Sequence, residues 1–242
     1  MRLDAYLVAT GAVRSRERAR EAVAAGLVRV NGEVARKPAA KVADGDAVTC
    51  EGETHGYVGR GALKLAAGLR AFSLDVDGLT CLDLGASTGG FTEVLLSRGA
   101  ARVYAVDVGH GQLAASLAED PRVVNLERTH AKDLSRRLVP DPVDLVVCDV
   151  SFISLKKALP PALALCKEEA ALCVLVKPQF ELGRSRIGKG GIVRFDGSLP
   201  HWVADEIVPW FETQGWRSLG FMQSPITGGD GNTEFLLGAR RG

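Results

Sequence analysis

The 242-residue chain carries 30 Lys and Arg against 29 Asp and Glu, and 46% of it is apolar. This near-average globular usage supports a buried core and excludes wholesale disorder, and the length suits two domains, one of about 60 residues and one of about 180. No apolar run approaches the ~18 residues of a membrane span, and the amino-terminal MRLDAYLVATG has an early acid and no signal-type stretch, so a cytoplasmic protein without a membrane partner is expected.

The first elements in chain order are two short helices, Leu3–Ala9 and Ser15–Ala25, the second opened by a capping serine and closed by Gly26. Leu27–Gly32 follows and ends in Asn31-Gly32, a hairpin-turn pair between apolar runs. Charge is uneven here: residues 1–41 hold nine bases (Arg2, Arg14, Arg16, Arg18, Arg20, Arg29, Arg36, Lys37, Lys41) against four acids (Asp4, Glu17, Glu21, Glu33). A two-residue step turns a helix by about 200°, so the arginines at 14, 16, 18 and 20 cannot share one face, and alone they read as a solvated helix.

The whole arrangement says more. The RLD start, Ser15-Arg16 opening a helix, Gly26 before a V-x-V-Asn-Gly hairpin and Lys37-Pro38 resemble the small RNA-binding fold named after a small-subunit ribosomal protein. The resemblance implies an α+β RNA-binding domain over residues 1–52, with Arg2, Arg14, Ser15, Arg16, Arg20, Asn31 and Lys37 as RNA contacts. The basic residues would dock on phosphates without reading bases. Residues 51–60 are polar and glycine-rich and read as a linker, placed at 53–60, with a second domain over 61–242.

In that second part, strand-like runs at Thr80–Leu84, Arg102–Asp107, Arg122–Leu126, Val143–Val150 and Ala170–Lys177 alternate with helix-like stretches at 88–98, 111–119, 155–166 and 200–213. Such alternation predicts an α/β fold with a parallel sheet, and two further strands near 216–223 and 233–239 suggest an antiparallel hairpin at one end. Four of the five cysteines (Cys81, Cys148, Cys166, Cys173) lie in apolar runs, and none of the five, Cys50 included, shows paired spacing. They read as reduced packing residues; neither disulfide nor metal is expected.

The sharpest local signal is the strand-turn-helix sequence Leu82-Asp83-Leu84-Gly85-Ala86-Ser87-Thr88-Gly89-Gly90. Its spacing departs from the dinucleotide G-x-G-x-x-G pattern, and an acid just before the turn suits a ligand bearing a cation. Asp107, ending the next strand, stands where a carboxylate holds ribose hydroxyls. These features resemble the S-adenosylmethionine site of class I methyltransferases, which implies that Asp83, Gly85, Ala86, Ser87, Gly89, Asp107, Val108, Thr129 and Asp149 bind the cofactor. His130 reads as a wall of the adenine pocket rather than a base.

Four charged residues stand against apolar backgrounds: Lys64 in RGALKL, Asp149 in VDLVVCDVSF, Lys177 ending ALCVLVK and Glu234 in GNTEFLL. With DLGASTGGFTEVLL and VCDVSFISL, in this order behind an RNA-binding module, these motifs closely match the TlyA family of rRNA methyltransferases, relatives of the FtsJ ribose methyltransferases. The match covers almost the whole chain. It implies a Rossmann-like class I methyltransferase fold with a mostly parallel seven-stranded sheet and a catalytic Lys64-Asp149-Lys177-Glu234 tetrad. The reaction implied is 2′-O-methylation of an rRNA cytidine, on free RNA or a ribosomal subunit, by a monomer. The chain resembles the family's shorter type, which implies the large subunit, with the small subunit as the alternative target.

Chemically, a ribose hydroxyl is a weak nucleophile and must lie in line with the sulfonium methyl while its proton is drawn off. A lysine of depressed pKa, crowded by a second cation, can serve as base or oxyanion stabiliser, and Lys177 is expected in that role. Asp149 and Glu234 would orient the lysines, and Lys64 would hold the hydroxyl or its phosphate. Gly183–Gly191 forms a basic loop whose Arg184, Arg186 and Lys189 are expected on the RNA backbone.

Two departures, His55-Gly56-Tyr57-Val58 in the linker and ERTHAK at 127–132, bear on interdomain coupling and the adenine pocket, not on the reaction. Rival readings are a membrane-active haemolysin, after the family's historical label, and a non-catalytic ribosome-assembly factor. Amino-group methylation is disfavoured because Asp149-Val150-Ser151-Phe152 replaces the Asn/Asp-Pro-Pro-aromatic motif.

Overall fold

The computed structural model describes residues 1–13, 15–24, 26–50, 57–182, 186–193 and 197–242. Contacts divide it into two compact units, Met1–Gly59 and Arg60–Gly242. Arg14, Arg184, residues 53–56 of the expected linker and the side chain of Lys189 lie outside the described part.

The first unit contains α1 (Leu3–Ala9), α2 (Arg16–Ala24) and strands β1 (Val28–Val30), β2 (Glu33–Val34) and β3 (Val48–Cys50), in an antiparallel sheet of order β2-β1-β3. Leu3 and Leu7 of α1 and Ala19, Ala22 and Val23 of α2 recur at helical spacing and bury against Val28 and Val42. Asn31 and Gly32 both take positive φ, 53° and 84°, which supplies the twist a tight hairpin needs.

The second unit is a seven-stranded sheet of order β6-β5-β4-β7-β8-β10-β9. Strands β4 (Thr80–Leu84), β5 (Arg102–Val106), β6 (Val123–Leu126), β7 (Val143–Cys148) and β8 (Cys166–Val176) run parallel. β10 (Phe235–Arg241) inserts antiparallel between β8 and the edge strand β9 (Trp216–Gln223). Their near-continuous Val, Leu and Cys runs suit strands covered on both faces, and Leu82, Val146, Leu172, Val174 and Leu237 are fully buried.

Helices pack around them: α3 (Gly61–Ala71), α4 (Gly90–Ser97), α5 (Ala115–Ala118), α6 (Leu155–Leu163), α7 (Pro178–Glu181), α8 (Leu199–Trp202) and α9 (Val208–Thr213). α3 was not among the expected helices, although Ala62, Leu65 and Leu69 bury at helical spacing. Gly68 lets it settle onto the sheet, since a Cβ there would lie 2.6 Å from Cys173 Sγ. The helix expected at 111–119 is reduced to Ala115–Ala118, because the amides of residues 112 and 113 donate to the Glu127 carboxylate instead. The helix expected at 200–213 is broken by a wide π turn at Val203–Ile207, just before Pro209, whose ring cannot continue ordinary helical bonding.

Candidate active site

Parallel strands place their carboxyl ends on one edge of the sheet, and the expected residues gather there. Asp107, Asp149 and Lys177 each follow the last residue of β5, β7 and β8. Glu234 reaches the same edge from the opposite direction, because β10 is antiparallel and Phe235 lies across from Val176.

The tetrad resolves into two ion pairs. Lys64 Nζ lies 2.6 Å from Glu234 Oε2, with side chains only 8% and 2% exposed. Lys177 Nζ lies 2.7 Å from Asp149 Oδ1 and donates to Ser151 Oγ at 2.9 Å. The first turn of α3 brings the pairs together: a Cβ on Gly61 would lie 3.5 Å from Asp149 Oδ2, three residues before Lys64. Gly228 is held close to Glu234, where a Cβ would sit 2.5 Å from Oε1.

Beside the Lys177 pair opens a cavity of about 440 Å³. Of the expected cofactor residues, Gly85, Ser87, Asp107, Val108, Thr129 and Asp149 line it, as does His130. Gly85 adopts φ 87° and passes so near β7 that a Cβ would meet the Asp149 carbonyl oxygen at 2.8 Å, so only glycine fits the turn. Gly89, at φ 99°, starts α4; a Cβ would meet Leu117 Cδ1 at 2.3 Å. Ala86 is buried within the turn and does not line the cavity.

Asp83 does not line the cavity; it is fully buried, one carboxylate oxygen accepting the Thr92 hydroxyl at 2.7 Å and the other, Oδ1, without a hydrogen-bond partner among the described residues. Burial pushes its pKa up to about 7, with the Asp149 and Asp107 charges adding to the rise and the Thr92 hydrogen bonds opposing it. An orphaned buried acceptor one residue before the cavity-lining Leu84 and Gly85 would suit a ligand cation. Asp107 holds the rim: its oxygens accept the backbone N–H groups of Ser87 at 2.8 Å and Gly109 at 2.7 Å, and each keeps room for a hydroxyl donor.

Sequence reasoning missed several residues here. Ser151 fixes Lys177. Phe152 is 90% exposed in a left-handed backbone conformation, φ 66°, with its ring 5.2 Å from that of Phe180, over which Lys177 Nζ stands at 6.0 Å. An exposed aromatic beside a strand-end acid was a legible signal in VCDVSF. Glu181 anchors the start of α6 by accepting the Ser154 hydroxyl and the Leu155 N–H, both at 2.6 Å, and nothing in its sequence context marked it.

In the first unit Asp4 is fully buried and gathers three of the expected RNA contacts: Arg2 at 3.0 Å, Arg16 at 3.2 Å and Arg20 at 4.0 Å. Arg2, through its hydrogen bonds foremost, and Arg16 hold the Asp4 carboxyl far below the usual carboxylate range against the opposing effect of burial, while all three arginine side chains stay at least half exposed. Ser15 accepts the Arg18 N–H at 3.3 Å, and the Asn31 amide is engaged by Asp46 and Ala47, so both act within the fold. Lys37 is exposed. In the second unit Arg186 is exposed beside the Ile187–Val193 bridge.

Residues 57–241 match the model of the FtsJ-like methyltransferases and residues 1–48 that of the S4 domain. The 16S/23S rRNA (cytidine-2′-O)-methyltransferase TlyA of Mycobacterium tuberculosis is 48% identical over 240 residues, which is 99% of this chain and 89% of that protein. Hemolysin A of Brachyspira hyodysenteriae is 39% identical over 98% of both. A solved structure of a hemolysin from Streptococcus thermophilus superposes with a TM-score of 0.79 at 40% identity, covering 100% of this chain and 88% of that one. Among the described residues no helix is long and apolar enough to cross a membrane.

Proposed function

The chain belongs to the TlyA family of FtsJ-like methyltransferases, and from that premise we propose that it transfers a methyl group from S-adenosylmethionine to the 2′-oxygen of a cytidine ribose in ribosomal RNA. The carrying observation is the pair of lysine–carboxylate contacts at the carboxyl edge of the sheet, one of which reaches the cavity through Asp149, a lining residue. S-adenosylmethionine, when bound, supplies an electrophilic methyl group on a sulfonium. The orphaned Asp83 Oδ1 would receive its ammonium, the Gly85–Gly89 turn would close on its methionine part, and Asp107 would take the ribose hydroxyls.

The remaining steps belong to the chain's own side chains. Asp149 and Ser151 hold Lys177 Nζ beside the cavity, where the amine, once it has released its own proton to solvent, takes the proton of the incoming hydroxyl and becomes the ammonium that faces the negative charge growing on the oxygen. Lys64, fixed by Glu234, holds the ribose or its phosphate. Phe152 presents a free ring face on which a displaced base can stack. The S4 unit supplies phosphate contacts through Arg2, Arg16, Arg20 and Lys37, and Arg186 and Lys189 supply more from the catalytic unit. The Mycobacterium relative carries both 16S and 23S rRNA in its name, so cytidines of either subunit are candidate targets.

Lys177→Ala tests the assignment. Turnover on rRNA should fall by about 10³-fold or more while S-adenosylhomocysteine affinity stays within about twofold; retained turnover would remove Lys177 from the chemistry.

A further inference from the structure

The loop between β5 and α5 edges the cavity through Val108 and Gln112, yet it has no regular secondary structure of its own. Its fixed point is a carboxylate outside the cavity. Glu127, just past β6, accepts the backbone N–H of Gln112 at 2.7 Å and of Leu113 at 3.3 Å, and His110 Nδ1 stands 3.4 Å from its second oxygen. A hydrogen bond from the Gly111 N–H is the largest influence on it, followed by that from Gln112, and together they hold its pKa down to about 2. Gln112 in turn accepts the Ser87 hydroxyl at 3.3 Å, tying the loop to the glycine turn across the cavity. The neighbouring backbone completes the zipper: Arg128 N–H donates to the Gly109 carbonyl and Thr129 N–H to that of Asp107, both at 2.9 Å.

The geometry points to Glu127 as a positioning residue for cofactor recognition: by collecting the amides of residues 111–113 it sets the Gln112 rim against which the adenosine part of the cofactor is held. The inference rests on the reading of this cavity as the S-adenosylmethionine site. A carboxylate suits the task because it accepts several N–H groups at once and donates to none. An amide in its place turns an NH2 toward donors that then lack a partner. Glu127 does not line the cavity and lies outside the tetrad, so its removal should cost cofactor affinity and leave the chemical step alone.

The experiment uses the full chain, titrated with S-adenosylhomocysteine and assayed on rRNA. Glu127→Gln should weaken S-adenosylhomocysteine binding and raise the KM for S-adenosylmethionine on the order of tenfold, with kcat at saturating cofactor and rRNA affinity within about twofold of wild type. Glu127→Asp should recover part of the loss, and Gln112→Ala should reproduce it in milder form with an unchanged melting temperature. Wild-type affinity in Glu127→Gln overturns the inference, and so does a matched fall of kcat and melting temperature, which marks a general structural role. Failure of the wild-type protein to bind S-adenosylhomocysteine would instead reject the reading of the cavity itself, and the inference with it.

Discussion

The Asp4 cluster and the tetrad are built from the same charges arranged to opposite ends. Around Asp4, one buried carboxylate serves three arginines whose side chains are 50%, 54% and 62% exposed, so positive charge is left over and faces solvent. In the tetrad each lysine has its own acid, and the Lys64–Glu234 pair is almost sealed. Excess exposed cation attracts a polyanion over a distance; matched buried pairs exert little field outward but hold two amines in fixed positions. Under the proposed function the first arrangement would serve docking and the second chemistry.

Breaking the sealed pair should have the larger consequence. Glu234→Ala leaves the Lys64 ammonium buried without its partner, and unfolding by denaturant should report a loss of about 3–5 kcal/mol. Glu234→Gln, which keeps an acceptor, should lose less stability while still impairing turnover. If Glu234→Ala unfolds like the wild type, the pair is not the matched, closed unit described above.

An intermediate effect comes from Asp83, whose pKa burial raises to about 7. Only its ionised form receives an ammonium, so S-adenosylhomocysteine affinity should climb by up to about tenfold per pH unit as pH approaches 7 and level off above it. For folding the sign is reversed. The raised pKa means the native state retains a proton that the unfolded chain releases near the ordinary carboxylate value, so this group's contribution to the stability of the ligand-free protein declines as pH rises from about 4 to 7. Asp83→Asn should flatten both profiles, which calorimetric titration and melting curves across that range would show.

The smallest effect should follow from thinning the exposed cluster. Arg16→Ala should weaken rRNA binding severalfold and lower the slope of log affinity against log salt by about one, with kcat at saturating RNA unchanged. An unchanged slope would mean that Arg16 serves only to neutralise Asp4.

What was legible in the sequence followed the physics of each residue. Lys64, Asp149, Lys177 and Glu234 stand out because a charge at the end of an apolar strand is conspicuous, and register alone brings Glu234 to Lys177. Strands β4 to β8 were found within a few residues because buried parallel strands read as unbroken apolar runs. Glu127 was opaque: its partners are backbone amides, which every loop possesses, and the same bonds shorten α5. Asp4 was counted as an acid opposing the basic helix, whereas burial makes it the hub that arranges Arg2, Arg16 and Arg20. Asn232 was hidden for a like reason: it is 2% exposed and spends its amide on the Val193 N–H and the Gly191 carbonyl, whereas Ser151 was hidden because its partner, Lys177, lies 26 residues away and only the fold brings them together.

The most direct measurement is the chemical identity of the product. Ribosomal RNA from cells lacking the gene, incubated with purified protein and methyl-labelled S-adenosylmethionine, can be digested to nucleosides and resolved by mass. The wild-type protein should place the label on 2′-O-methylcytidine and Lys177→Ala should place none; label on a cytosine base, or 2′-O-methylcytidine formed at the wild-type rate by Lys177→Ala, would contradict the assignment.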